Sequence, residues 1–111
     1  MRIEIHGSGV EATAGLRRHI EEKAETVLQR FQDEIETVTV TLEDTNGPRG
    51  GVDQQCRVAV KLYSQPRPGI STSVHENIGG AIKLSFDKAV FAVSRMLDKR
   101  QRQSRRIVTP V

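Results

Sequence analysis

The chain has 111 residues, of which 28% are charged, and a formal net charge of +3. This length accommodates one domain with one modest core, and a single cysteine excludes an internal disulfide framework. The sequence contains neither an apolar signal segment nor a run of about 18 apolar residues that would span a membrane. We therefore expect a cytoplasmic protein without a membrane partner.

The charge is unevenly distributed along the chain. Residues 1–56 contain six Lys/Arg and eleven Asp/Glu, a net charge of −5, whereas residues 57–111 contain eleven and three, a net charge of +8. Such an asymmetry indicates contact with a nucleic acid through the C-terminal half. The alternative is a basic, solvated helix and tail without a specific partner.

The first part of the chain predicts a strand, a helix and a second strand. Ile3 and Ile5 alternate with polar residues, which is typical of a half-buried strand. Thr13 can cap a helix. The apolar residues of that helix recur every three or four positions and form one stripe: Leu16, Ile20, Ala24, Val27, Leu28 and Phe31. Val38, Val40 and Leu42 then alternate with threonines in a second strand.

A glycine-rich segment, Asn46-Gly47-Pro48-Arg49-Gly50-Gly51, follows the second strand. It lacks the Gly-Lys-Ser/Thr ending of a P-loop, and no helix follows whose N-terminus would receive a phosphate. Asn46-Gly47 is a turn dipeptide. We interpret the segment as a hairpin tip with an exposed Arg49, and a finger that contacts RNA or protein remains the alternative.

The second part predicts two strands and a long helix. The apolar residues of the third strand alternate from Cys56 to Leu62, and a proline-containing turn precedes a shorter fourth strand with Ile70, Thr72 and Val74. Asn77 can cap the second helix. Its apolar stripe consists of Ile78, Ile82, Ser85, Phe86, Ala89, Val93, Met96 and Leu97.

The order β-α-β-β-β-α predicts an α+β fold, in which a four-stranded mixed sheet packs both helices on one face. We expect each strand to direct its apolar side chains to that face. The other face would present the polar side chains of the strands: Arg2, Glu4, the threonines, Arg57, Lys61 and Tyr63. Residues 1–103 would form a single domain, and residues 104–111 a basic flexible tail.

The sequence offers no constellation for catalysis. The three histidines lie apart without a ligand-spaced partner, whereas a zinc site needs three or four converging ligands. Cys56 shares the apolar face of its strand, which favours a core thiol over a nucleophile. Asp44 and Asp53 are typical of strand ends. We expect a protein that is not an enzyme and has no metal or cofactor.

The basic residues are arranged as stripes on the two predicted helices. At 100° per residue, one flank of the second helix presents Lys88, Arg95, Lys99 and Arg102. His19, Lys23 and Arg30 form a stripe on the first helix, where Arg17 and Arg18 can pair with Glu21 and Glu22. Helices that lie side by side could present both stripes along a shared groove. Such a line of cations suits a polyphosphate backbone.

Three stretches resemble the ribosome hibernation-promoting factors and ribosome-associated inhibitors, also labelled sigma-54 modulation proteins, in their short form. They are Ile3-x-Ile5-x-Gly7 with Val10-Glu11-x-Thr13-x-x-Leu16-Arg17, the loop Asp44-x-Asn46-Gly47-Pro48-Arg49-Gly50-Gly51-x-Asp53, and His75-Glu76-Asn77 with Ala81-Ile82 and Asp87-Lys88. The resemblance covers roughly residues 1–100. It implies a fold close to double-stranded-RNA-binding domains. It also implies a stress factor that binds rRNA of the small ribosomal subunit and inhibits translation.

The resemblance and the helical stripes together indicate which residues contact RNA. Basic residues stand at four positions where the family places them: Arg17, Lys23, Lys88 and Arg95. The candidate RNA-binding residues are therefore Arg17, Lys23, Arg30, Lys83, Lys88, Arg95, Lys99, Arg100 and Arg102. The alternative is a protein-interaction module, with a homodimer or another protein as partner, that uses exposed Leu84 and Phe91 or the open sheet face.

The hairpin-tip interpretation of residues 46–51 predicts the effect of removing the arginine. Arg49→Ala should change the free energy of unfolding by less than about 0.5 kcal/mol, as for an ordinary surface substitution. Urea denaturation of the variant and the parent measures this difference. A loss of several kcal/mol would show that Arg49 holds the loop in a fixed structure.

Overall fold

The computed structural model describes residues 1–45 and 54–108, with side chains in the second segment as far as Lys99. Its elements, in chain order, are β1 (Arg2–Ser8), α1 (Ala14–Leu28), a 3-10 turn (Gln29–Phe31), β2 (Ile35–Asp44), β3 (Gln54–Leu62), β4 (Gly69–His75) and α2 (Ile78–Val108). The predicted order β-α-β-β-β-α is confirmed.

The four strands form one mixed sheet in the order β1-β2-β3-β4. β1 pairs with β2 in parallel, with Ile5 opposite Val40. β2–β3 and β3–β4 are antiparallel, with Val40 opposite Val58 and Arg57 opposite Thr72. The parallel pair follows from the α1 crossover, because a helix between two adjacent strands returns the chain to the same end of the sheet. β4 and β1 are the edge strands.

The core lies between the sheet and the two helices. Alternate residues of β2 and β3 are fully buried, from Val38 to Leu42 and from Cys56 to Leu62. Ile35 is also buried, before a shift in the β2–β3 register between Ile35 and Thr37. Ile20, Leu28 and Phe86 fill the space above these strand residues from the helices and have no exposed surface. Burying one such side chain contributes about 1.5–3 kcal/mol. The apolar stripes therefore determine which side of each helix faces the sheet.

Both helices begin at the predicted caps. Thr13 Oγ1 accepts a hydrogen bond of 3.1 Å from the Leu16 backbone N–H, and Asn77 Oδ1 accepts one of 2.7 Å from the Gly80 N–H. The Asn77 N–H donates in turn to His75 Nδ1 at 3.1 Å. These contacts satisfy backbone donors that the first helical turn leaves without partners.

The expected burial of β4 was wrong. Ser71 and Ser73 face the helices and are buried, whereas Ile70 and Val74 are 49% and 43% exposed. The reason is the closeness of α2 to this strand. A Cβ added at Gly69 would lie 2.8 Å from Met96 Sδ, so small residues occupy the β4–α2 contact. The apolar residues of β4 consequently point to the open face of the sheet.

The structure continues α2 beyond the position where the sequence predicted a tail. The helix has 31 residues and ends at Val108, whereas the predicted tail begins at residue 104. The division into a domain of residues 1–103 and a flexible tail of 104–111 stays a prediction. The loop prediction for residues 46–51 falls on positions 46–53, which lie outside the described residues.

Two helical glycines provide a matched test of the α2 cap. A Cβ at Gly80 would lie 2.5 Å from His75 Nδ1, whereas a Cβ at Gly15 in α1 meets nothing within 4 Å. Gly15→Ala should stabilise the protein by about 0.5 kcal/mol, because alanine loses less backbone entropy in a helix. Gly80→Ala should destabilise it by about 1 kcal/mol, because the His75 ring must move and its hydrogen bond to Asn77 is lost.

Thermal or urea denaturation of the two variants measures this contrast. If Gly80→Ala stabilised the protein as much as Gly15→Ala, the His75 ring would be free to leave the cap without cost.

Candidate nucleic-acid interface

One flank of α2 presents a line of exposed cations along the β4 edge of the sheet. Lys88, Arg95 and Lys99 lie within about 40° of one another at 100° per residue, and all three are exposed. Ala92 and Met96, next to this line on the helix, lie against Gly69 at the start of β4. We call Lys88, Arg95 and Lys99 the outer basic flank.

Lys88 is fixed to the edge strand by a specific contact. Its Nζ donates a hydrogen bond of 2.9 Å to the backbone oxygen of Thr72 in β4. The ammonium group has two further donors for a ligand. No local pattern in the sequence relates positions 72 and 88, so only the tertiary structure reveals this anchor.

Lys83 lies on the opposite side of α2, and the other predicted cations, Lys23 and Arg30, belong to α1 and the turn that follows it. The helix packs against β3, β4 and α1, and since Ala92 faces β4, the flank with Lys83 and Val90 faces α1. Lys23 is half-buried on α1, and the Arg30 guanidinium stacks on the Phe31 ring, with Cζ 4.6 Å from its centroid. Lys83 Nζ pairs with Asp87 Oδ2 at 3.5 Å.

The structure therefore divides the predicted cations between two surfaces. Lys83 lies on the flank of α2 that faces α1, Lys23 and Arg30 lie on α1 and the turn that follows it, and the outer basic flank lies along β4. The expectation of one groove shared by both stripes was wrong, because α2 turns its own stripe away from α1. Arg100 and Arg102 lie on the α2 backbone beyond the described side chains.

The exposed surface of α1 is less basic than that of α2. Arg18 Nε pairs with Glu22 Oε1 at 3.1 Å, as predicted. Arg17 donates instead from Nε to the Ala12 backbone oxygen at 3.1 Å, and the described residues show no pair between it and Glu21. Glu21 and Glu25 remain exposed on the same helix.

Two apolar residues form the crest of α2, which is the side of the helix opposite the core. Phe91 is 73% exposed and Leu84 is 41% exposed. Their exposure confirms the helical phase predicted from the sequence. The crest separates the outer basic flank from the α1 side of the helix.

The open face of the sheet carries ion pairs and a second set of exposed apolar side chains. Lys61 Nζ lies 2.8 Å from Glu36 Oε2, and an Arg2–Glu4 pair spans 3.3 Å. Tyr63, just past β3, is 67% exposed. Ile70 and Val74 of β4 share this face. The predicted polar face therefore also has an apolar part at the β3–β4 side.

The described residues contain no group of three or more His, Cys, Asp or Glu that could hold a metal ion. Among them, no helix is long and apolar enough to cross a membrane. Cys56 is a free, fully buried thiol. Burial raises the pKa of this thiol from 9.0 to about 11, and the hydrogen bond with Ser85 lowers it in part. A thiol of this kind is a poor nucleophile at neutral pH.

A family model described as sigma 54 modulation protein / S30EA ribosomal protein matches residues 3–105. The chain belongs to this family. The resemblance inferred from the residues is thereby confirmed, and the family is one of ribosome-associated factors. No curated protein matches the chain.

Two solved structures share the fold. A ribosomal subunit interface protein from Coxiella burnetii is 21% identical, with a TM-score of 0.66, over 88% of this chain and 99% of that one. The N-terminal domain of Thermus thermophilus Protein Y is 22% identical, with a TM-score of 0.70, over 86% of this chain and 99% of that one. At these identities the likeness supports the α+β architecture.

The raised pKa of Cys56 predicts a loss of stability in alkali. The folded state keeps the thiol proton up to about pH 11, whereas the unfolded state loses it above pH 9.0. Above pH 9 the folded state therefore binds more protons, and its stability falls as the pH rises. Below pH 9 the thiol is protonated in both states and costs the folded state nothing. Between pH 9 and 11 the free energy of unfolding should fall by about 2–3 kcal/mol, at 1.36 kcal/mol per pKa unit.

Urea denaturation between pH 8 and 11 measures this loss, with Cys56→Ala as the control for every effect of alkali that does not involve this thiol. The parent should lose more stability than the variant over this range. Equal slopes in the two proteins would mean that Cys56 ionises in the folded state as readily as in the unfolded chain.

Proposed function

We propose that the protein is a cytoplasmic stress factor that binds rRNA of the small ribosomal subunit and inhibits translation by occupying space on the ribosome. Membership of a ribosome-associated family supports the choice of partner. The observation that carries the mode of binding is the outer basic flank, where Lys88, Arg95 and Lys99 are exposed on one side of a long helix.

This flank suits a phosphate backbone for an electrostatic reason. Cations that neutralise phosphates release condensed counterions, which favours binding independently of sequence. Lys88 is positioned by Thr72, so part of its side-chain ordering is already present before binding. Among the candidate contacts, Lys23 of α1, Arg30 of the 3-10 turn and Lys83 of α2 would reach RNA away from the outer basic flank. Arg17, Arg100 and Arg102 complete the proposed set.

Inhibition in this proposal requires no chemical step. The described residues hold no metal-binding cluster, and their one thiol is buried with a raised pKa. The sheet and helices share one packed core, so the domain resists compression. A rigid domain held by its phosphate contacts would exclude other ligands from the space it occupies.

A second candidate function is a protein-interaction module. Tyr63, Ile70 and Val74 are exposed together with the sheet residues of the open face. Such apolar side chains are typical of surfaces that contact a protein partner, including a second copy of the chain. Self-association in sedimentation velocity that Tyr63→Ala or Val74→Ala removes would favour this candidate.

The ribosomal proposal predicts a steep dependence of binding on salt. If about five phosphates are neutralised, the slope of log K against log salt should be near −3.5 to −4.5, at 0.7 to 0.9 per contact. Arg95→Glu with Lys99→Glu should weaken binding to small subunits and make this slope shallower. Lys88 is left unchanged because it also donates a hydrogen bond to the Thr72 backbone oxygen. Its replacement would remove a contact between α2 and β4 as well as a cation.

A matched control makes the same change of net charge on the other side of the molecule. Arg2→Glu with Arg57→Glu replaces two exposed arginines of the sheet. Co-sedimentation with purified small subunits and an in vitro translation assay compare the three proteins. If the control weakened binding as much as the helix variant, or if the parent failed to bind at low salt, the proposal would be wrong.

A further inference from the structure

The most exposed large apolar side chain of the described residues stands among cations. Phe91 is 73% exposed on the crest of α2. Lys88 precedes it by three residues and Arg95 follows it by four, so both neighbour it on the helix surface. Asp87, four residues before Phe91, is paired with Lys83 at 3.5 Å, and exposed Asp98 lies two helical turns after Phe91. An aromatic ring is therefore presented to solvent between two positive charges.

We propose that this crest is a base-stacking site for single-stranded RNA. Phe91 stacks on the face of an unpaired base, and Lys88 and Arg95 bind the phosphates on either side. The inference rests on the proposed function and deepens it, because it names RNA with accessible bases as the ligand class and assigns one residue to recognise a base.

The spacing along the helix fits this arrangement. Lys88 and Arg95 are seven residues apart, which is about 10.5 Å along the helix axis. With the rise of about 3.4 Å per nucleotide of a stacked DNA strand as a guide, this distance corresponds to roughly three nucleotides. Phe91 lies between the two cations. A base near the middle of such a segment would meet the ring while neighbouring phosphates meet the cations.

The surroundings of Phe91 favour RNA over a protein partner. A standard protein interface buries about 800 Å² on each partner. The crest offers two large apolar residues, Phe91 and Leu84, and an aromatic side chain contributes about 150–250 Å². Its border carries Lys88 and Arg95, which complement phosphates. Duplex RNA keeps its bases stacked inside, whereas unpaired bases can be splayed onto an aromatic ring.

The absence of tryptophan from the sequence makes a direct test possible. Phe91→Trp keeps an aromatic face and introduces the protein's one tryptophan. Its fluorescence should be quenched when a ten-nucleotide oligouridine binds. An oligomer of equal length with abasic sugars has the same phosphates and should bind by charge without quenching. Binding itself is followed by the anisotropy of a fluorescent label on each oligomer.

Removal of the ring should weaken binding only where bases are present. Stacking on one aromatic side chain contributes about 1–3 kcal/mol, so Phe91→Ala should weaken oligouridine binding about 5- to 150-fold, at 1.36 kcal/mol per tenfold change. Its affinity for the abasic oligomer and the salt slope with both oligomers should be unchanged, because the ring contacts no phosphate. Tyr63→Ala removes an aromatic side chain of similar exposure, 67%, near the open sheet face and should leave binding to both oligomers unchanged.

The results separate this inference from the proposed function. If Phe91→Ala bound oligouridine as tightly as the parent, or if bound Phe91→Trp were not quenched, base stacking would be wrong. Small-subunit binding that depends on Arg95 and Lys99 would then still stand. If the parent bound neither oligomer at low salt and did not bind small subunits, both proposals would fail. Loss of self-association in Phe91→Ala, with RNA binding unchanged, would assign the crest to a protein and overturn the inference.

Discussion

The close contact between α2 and β4 determines how the rest of the surface is presented. Met96 and Ala92 lie against Gly69, and Ser71, Ser73 and Ser85 are buried. Ser85 Oγ donates a hydrogen bond of 2.6 Å to the Cys56 backbone oxygen in β3, which joins the helix to the sheet interior. The buried Ser73 hydroxyl has no hydrogen-bond partner within the described part of the chain. Small residues at this contact let α2 approach β4 closely, and the close packing fixes the rotation of α2 about its own axis.

The rotation of α2 about its axis determines where its charged side chains lie. Once Ala92 and Met96 face β4, the outer basic flank must project beyond the edge of the sheet, and the crest must face solvent. Lys88 then reaches Thr72 and occupies the edge of β4. A lysine at this position also hinders pairing of the edge with another strand. One contact thus combines protection of the edge strand with placement of a cation for a ligand.

The two helices differ in what they can contribute to RNA binding. The α1 surface combines cations with exposed glutamates, and the Arg18–Glu22 pair neutralises part of its charge. Exposed pairs of this kind add little stability, but they lower the local positive potential. The outer basic flank of α2 has Asp98 as its acidic neighbour and otherwise presents cations. In the proposed complex, α2 would therefore supply most of the electrostatic attraction to the RNA phosphates. The glutamates of α1 would repel phosphates, so they would limit which side of the domain faces the RNA.

The sequence by itself determined the element order, the caps and the core face of most elements. Alternation in β2 and β3 is a local pattern, and so is the three-and-four spacing of Ile20, Ala24 and Leu28 in α1 and of Ile82, Phe86 and Ala89 in α2. Burial of apolar surface makes these patterns decisive. The exposed phase of Phe91 followed from the same spacing. Thr13 and Asn77 bond to residues three positions away, so their roles are also visible locally.

Only the tertiary structure decided the burial of β4 and the relation of the two basic stripes. The alternation of Ile70, Thr72 and Val74 predicted the wrong buried face, because the nearness of α2 leaves room only for serines beneath it. The Lys88–Thr72 contact joins residues 16 positions apart. A helical wheel gives the angle between stripes on one helix but not the side on which a second helix lies. That side depends on long-range packing across the sheet, which no local pattern in the sequence specifies.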